Sequence, residues 1–212
     1  MVVKILRYVA LFWILILCTG IFYQYADLKG QSTFLQIKAA AVKTGYYLPG
    51  FYCHIIGSSI ILLVGFFQFS KRVYNNRSLH KALGKVYVFG VLFFAAPGAY
   101  VMTFFVNRGM WVFISFFVQN TLWIIFTALA WTLIKKGKVE AHVQMIRRSY
   151  CLAFAAVTLR LYIWLFHVLG NGVDFKYNYV IIAFLSWVPN LILVEWLNYR
   201  DKGRVVLADA NS

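Results

Sequence analysis

Of 212 residues, 62% are hydrophobic, 19% aromatic and only 13% charged, a balance that excludes an ordinary soluble domain, whose surface needs more polar residues than this chain owns. The formal net charge of +15 would suggest nucleic acid if the cations shared one face, but they lie in short stretches between apolar runs. Lipid is therefore the implied solvent, and nucleic acid is not needed to explain the charge.

Crossing a hydrocarbon core takes roughly 20 mainly apolar residues. Six stretches meet this, at about 7–25, 50–70, 86–105, 111–134, 149–168 and 178–198, and they predict an all-α polytopic membrane protein built as a bundle of six transmembrane helices. The start resembles a signal peptide but has no A-x-A-like cleavage site, so it reads as a retained first anchor. Between the first two spans, Ala26 to Pro49 is the one long connection, and Phe34, Ile37, Ala41 and Thr44 recur at helical spacing, which predicts a short helix on the membrane surface. Three cysteines, Cys18, Cys53 and Cys151, fall inside apolar runs without metal-type spacing and read as buried free thiols. No internal repeat or second domain shows. Residues 1–202 read as a single six-span membrane domain and 203–212 as a short cytoplasmic tail.

The lysines and arginines assign each connection a side. Lys4, Arg7, Lys71, Arg72, Arg77, Lys81, Lys85, Lys135, Lys136, Lys138, Arg147, Arg148, Arg200, Lys202 and Arg204 fall on one side; Lys29, Lys38, Lys43, Arg108 and Lys176 fall on the other, with Arg160 inside a span. A split of 15 to 5 over short loops places both termini in the cytoplasm, and anionic headgroups at that face are the expected partners of the charges. The implied location is a membrane crossed several times.

Polar groups within spans are costly, so each is a functional candidate. Depth reckoned at about 1.5 Å per residue aligns Thr19, Ser58, Ser59, Pro97, Gln119, Asn120, Arg160 and Asn190 in a polar layer in the outer half. Arg160 keeps its charge and must find carbonyls, amides, water or an anion. It either glues helices through such acceptors, the carbonyl freed at Pro97 among them, or lines a polar cavity with Gln119, Asn120 and Ser58. Glu195 lies about 12 Å nearer the cytoplasm, too far for a direct pair. His54 and His167 lie near the outer face, and His80 and His142 at the inner. Facing histidines clamp haem iron in membrane b-type cytochromes, so His80 and His142 have three readings: solvated interfacial groups, metal ligands or haem ligands. His142, Arg160 and His167 share a helix face within about 20°, but the two histidines stand 25 residues apart, more than the hydrocarbon thickness. The 20 Phe, 14 Tyr and 7 Trp read as lipid-facing mass and interfacial belts, with Tyr46, Tyr47, Tyr52, Trp111, Tyr177 and Tyr179 outside and Trp196 and Tyr199 inside. Gly57, Gly84, Gly90 and Gly98 read as sites of close helix contact.

The ordered motifs His54-Ile55, Gly65-Phe66-Phe67-Gln68-Phe69, His80-Lys81-Ala82-Leu83-Gly84-Lys85-Val86-Tyr87-Val88, His142 with Arg148-Ser149-Tyr150, and Ala155-Ala156-Val157-Thr158-Leu159-Arg160-Leu161 resemble an uncharacterised family of bacterial multi-pass membrane proteins, domain-of-unknown-function family 2306. The resemblance runs from about Phe51 to Trp164. It implies family positions at His54, His80, His142 and Arg160 but not at His167. A Trp-Met-Ile triplet usual before the arginine matching Arg148 is Met145-Ile146-Arg147 here. The histidine layout is also similar in style to two-haem membrane cytochromes of the b561 kind, although three histidines cannot supply two bis-histidine haems.

The expected function is accordingly a cofactor-binding membrane protein, with His54, His80 and His142 as haem b or metal ligands, or a quinone-linked electron carrier with a redox partner or membrane complex. Two alternatives stand beside it: a transporter or small-solute conduit centred on Arg160, and a non-catalytic assembly or scaffold protein.

Overall fold

The computed structural model of the chain describes residues 2–26, 32–169 and 178–202. Lys29, Lys176, Tyr177, Arg204, the side chain of Lys4 and the 203–212 tail lie outside the described residues. What is described is helical, without strands, and six helical stretches are long and apolar enough to cross a membrane: Ile5–Tyr25, Tyr47–Gln68, Arg77–Phe104, Met110–Lys135, Val139–Val168 and Tyr179–Asp201. The chain divides into two packed units, Met1–Phe105 with three of these spans and Val106–Val206 with the other three.

In the first unit, α1 (Val2–Tyr25) leans on α4 (Tyr47–Gln68). Ile14, Leu17, Cys18 and Ile21 are its buried stripe, the i, i+3, i+4, i+7 spacing of one helix face, and the Cys18 thiol donates to the Ser59 carbonyl at 3.7 Å. The connection expected to hold one surface helix holds two short ones, α2 (Thr33–Ile37) and α3 (Ala39–Val42), divided at Lys38. Leu35 and Ala41 are buried, and Lys38 Nζ donates to the Phe105 carbonyl at 2.6 Å, satisfying a carbonyl at the end of the third span.

The third span begins nine residues before its apolar run. Ser70 caps α5 (Lys71–Asn75) and Asn76 caps α6 (Arg77–Gly90), each side-chain oxygen accepting a backbone N–H three residues on, at 3.3 and 3.1 Å. Gln68 Nε2 donates to the His80 carbonyl at 2.9 Å, tying the end of α4 to α6. A π-helical turn, Val91–Ala95, then leads into α7 (Ala96–Phe104). Pro97 has no N–H for the carbonyl four residues back, and the widened turn lies immediately before it, where such irregularities belong.

α4 and the third span pack through small residues. A Cβ on Gly98 would strike the Gly50 carbonyl oxygen and stand 2.7 Å from the His54 backbone nitrogen. One on Gly50 would meet Val101 at 2.8 Å, and one on Gly90 would meet Ile61 at 3.0 Å. Gly57 adjoins Phe94 and Ala95, while Gly84 has room beside Gln68. Where helices are in lipid, such close backbone approach supplies the dispersion contact that holds them together.

In the second unit, α8 (Met110–Lys135) and α9 (Val139–Val168) form a helical hairpin. Gly137 takes φ +71° just past α8, the left-handed position that lets the chain turn back while the last carbonyls are satisfied. Midway along, the buried hydroxyls of Thr127 and Ser149 bond each other at 2.7 Å. The sixth span is broken into α10 (Tyr179–Leu185) and α11 (Val188–Asp201) at Ser186 and Trp187. α10 packs on α8 and α9, and α11 on α9.

Cys18 and Cys151 are buried free thiols as expected, but Cys53 is exposed. Phe51 and Ile55, its neighbours on α4, are buried, and Cys53 lies on the outward side of that helix.

Candidate functional site

Two histidines are oriented in the same way. His54, half-buried on α4, sets Nδ1 2.9 Å from the carbonyl of Ala95 at the end of the π turn. His142, half-buried in the first turn of α9, sets Nδ1 2.8 Å from the carbonyl of Ala130 on α8. Both alanines are fully buried, so a small side chain lets each imidazole reach the neighbouring backbone. A helical carbonyl has a second lone pair beyond the one its own helix uses. Because it only accepts, Nδ1 carries the proton in both rings and Nε2 carries the lone pair. Ser58 Oγ lies 3.3 Å from the same His54 nitrogen.

His80 stands elsewhere, its ring edge-on to Tyr74 with centroids 5.6 Å apart. His167 is exposed at the far end of α9. Neither unit sets two histidines across one iron. In the first, 14 residues of α4 separate His54 from Gln68, which holds the His80 backbone, or about 21 Å at helical rise. In the second, 25 residues separate His142 from His167, or about 37 Å. Among the described residues no group of three or more His, Cys, Asp or Glu is placed to hold a metal ion. Each unit thus holds one histidine whose ring is fixed through a backbone carbonyl, as the rings of metal-binding histidines are, and would offer b-type haem one imidazole and no facing pair.

The polar layer divides into local bonds. Thr19 is exposed and bonds the Leu15 carbonyl of its own helix at 2.7 Å, whereas buried Ser59 bonds that of Ile55, also at 2.7 Å. Gln119 Nε2 donates to the Leu152 carbonyl at 3.3 Å, and Asn120 is buried. The Oε1 atom of Gln119 and, one turn on, Nε1 of Trp123 are buried and make no hydrogen bond among the described residues. Arg160 is exposed, and Nη1 donates at 3.1 Å to the Ala156 carbonyl one turn back on its own helix.

The break in the sixth span has its own polar plug, of which the depth alignment shows only Asn190. Pro189 has no N–H for the Leu185 carbonyl four residues back, and at the same break the Ser186 carbonyl accepts from Thr158 Oγ1 of α9 and from Asn190 Nδ2 at 2.9 Å. Asn190 Nδ2 also approaches Thr158 Oγ1 at 3.1 Å, and Trp187 Nε1 donates to buried Ser115 on α8 at 3.0 Å. Non-helical backbone at membrane depth is tolerated only where side chains supply such bonds. Pro189 with Asn190 and the Thr158 of the Ala155-to-Leu161 motif carried the signal, but residue number does not give the direction in which Thr158 points.

At the other end of α9, Arg148 grips Glu195 of α11 through two parallel bonds, Nε to Oε1 and Nη2 to Oε2, the latter 2.6 Å. The same guanidinium lies over the Phe126 ring of α8, 5.9 Å from its centroid. Arg147 bonds buried Asn198 at 3.3 Å and approaches Asp201 at 3.7 Å, and Asn198 Nδ2 donates to the Gln144 carbonyl at 3.3 Å.

Six apolar helices and no β-structure among the described residues define a polytopic α-helical membrane protein. The family described as "Predicted membrane protein (DUF2306)" matches residues 51–198, and the chain belongs to that family. No curated protein and no solved structure matches it.

Proposed function

We propose that this is a cofactor-binding membrane protein whose histidines present Nε2 to an electrophilic group, b-type haem foremost, for electron transfer with a redox partner. The observation that carries the reading is the bond of His142 Nδ1 to the Ala130 carbonyl at 2.8 Å, which fixes the tautomer and aims the opposite nitrogen. His54 repeats the arrangement on Ala95. Bound haem would supply reversible one-electron chemistry; His142 and His54 would hold it through Nε2, their rings fixed by the Ala130 and Ala95 carbonyls. Both termini in the cytoplasm, supported by the 15-to-5 distribution of cations, a single membrane domain over residues 1–202, and a bacterial plasma (inner) membrane, which the resemblance to a bacterial family implies, complete the proposal.

Protein purified from haem-replete cells is expected to give a b-type reduced-minus-oxidised difference spectrum that His142→Ala abolishes or halves, with the helical circular dichroism signal retained. Colourless protein, or a spectrum unchanged in both His142→Ala and His54→Ala, would overturn the reading.

The broken sixth span favours a second reading, a small-solute conduit, because discontinuous helices form the binding sites of many transporters. Arg160, Gln119, Asn120 and Ser58 are then the polar residues to test beside Asn190. Reconstituted protein should pass a solute that Asn190→Leu protein, folded to the same helix content, does not. Equal flux through both removes this reading.

A further inference from the structure

Five cations, Lys71, Arg72, Arg77, Lys81 and Lys85, lie within the 15 residues that lead from the end of α4 to the apolar part of the third span, and all five are exposed. The chain has no Asp or Glu between Asp27 and Glu140 and none before Asp27. Among the described residues of the first unit there is therefore no carboxylate. The second unit differs: its Arg148 and Arg147 meet Glu195 and Asp201 of α11. Arg77, Lys81 and Lys85 are exposed and meet no carboxylate among the described residues of their unit.

The helix geometry places these cations. Arg77–Phe104 spans 28 residues, about 42 Å, against a hydrocarbon core of about 30 Å. The excess is the polar end, so the first turns of α6 lie at headgroup depth. Arg77, Lys81 and Lys85 recur every four residues and form one stripe along those turns. On another side of the helix Leu79 and Val86 are exposed, placed to enter the acyl boundary. Capping by Ser70 and Asn76 fixes α5 and α6 in this pose without using any cation.

We propose that α5 and the first turns of α6 form a docking surface for anionic phospholipid headgroups, with Arg77, Lys81 and Lys85 meeting the phosphates. Each cation at an anionic surface strengthens binding on the order of fivefold. The full-length protein in detergent is titrated with phosphatidylglycerol or with phosphatidylcholine of the same acyl chains, and bound lipid is read by native mass spectrometry. Phosphatidylglycerol is expected to bind at least about tenfold tighter, and the preference should fall about tenfold or more in R77Q/K81Q/K85Q. K135Q/K136Q/K138Q, which removes equal charge from exposed positions of another connector, should keep it. K81Q alone, read in the same way, should lose about fivefold and serves if the triple variant does not fold. Equal retention of the two lipids overturns the proposal, as does an equal loss in both triple variants. An acidic protein retained by the wild type and lost from R77Q/K81Q/K85Q, with no lipid preference, also overturns it.

Discussion

Gly98→Ala is expected to destabilise the first unit by about 3 kcal/mol, the upper part of the usual range for overpacking, lowering the thermal midpoint in detergent by on the order of 10 °C. The new Cβ would run into the Gly50 carbonyl oxygen and sit 2.7 Å from the His54 backbone nitrogen. Both obstacles are backbone atoms of α4, so no rotamer change relieves them and the two helices must separate. The same Cβ would lie 2.9 Å from His54 Cβ, so separation also draws the imidazole off the Ala95 carbonyl, and any signal that depends on His54 should weaken with the midpoint. Gly20→Ala is the control. A Cβ there meets nothing within 4 Å, and the better helix propensity of alanine favours it by up to about 1 kcal/mol. A Gly98→Ala midpoint within about 2 °C of the wild type would mean that the helix crossing is looser than described.

The spans were legible because the bilayer imposes a length on apolar runs that few other environments impose, and the glycines at 57, 90 and 98 were legible because close packing in lipid needs small residues. Helix starts were less so. Hydropathy falls where the hydrocarbon ends, but backbone hydrogen bonding continues into the headgroups, so the third and fifth helical stretches begin at Arg77 and Val139, not at 86 and 149. Asn76, two residues before Ser78 and three before Leu79, was the available cap signal. The candidate site was legible in depth but not in azimuth. Residue number put Arg160 and Asn190 in one layer, yet Asn190 turns to Thr158 while Arg160, two residues beyond it on α9, is exposed. The π turn that brings the Ala95 carbonyl to His54 has no sequence period of its own; Pro97 announces an irregularity without saying which carbonyl moves.

Replacing Arg148 with methionine is expected to cost the second unit about 2 kcal/mol. Breaking a buried ion pair by removing one partner typically costs about 3–5 kcal/mol, but the Glu195 side chain is 47% exposed against 16% for Arg148, and water answers part of the stranded charge. The two parallel bonds to Glu195, with Phe126 beneath the guanidinium, make Arg148 a junction of α8, α9 and α11. Loss should therefore appear as earlier melting of the sixth span, read by accessibility of a thiol introduced on α11. Arg148→Lys should recover only part, since an ammonium forms one bond where the planar fork forms two. Glu195→Leu alone leaves the guanidinium without its acid, whereas Arg148→Met with Glu195→Leu removes both charges and should lose less than the sum of the single variants. A cycle that adds within about 0.5 kcal/mol would show that the pair is a surface contact of little consequence, and that α11 is held to α9 by its other contacts, those of Asn190, Asn198 and Asp201 among them.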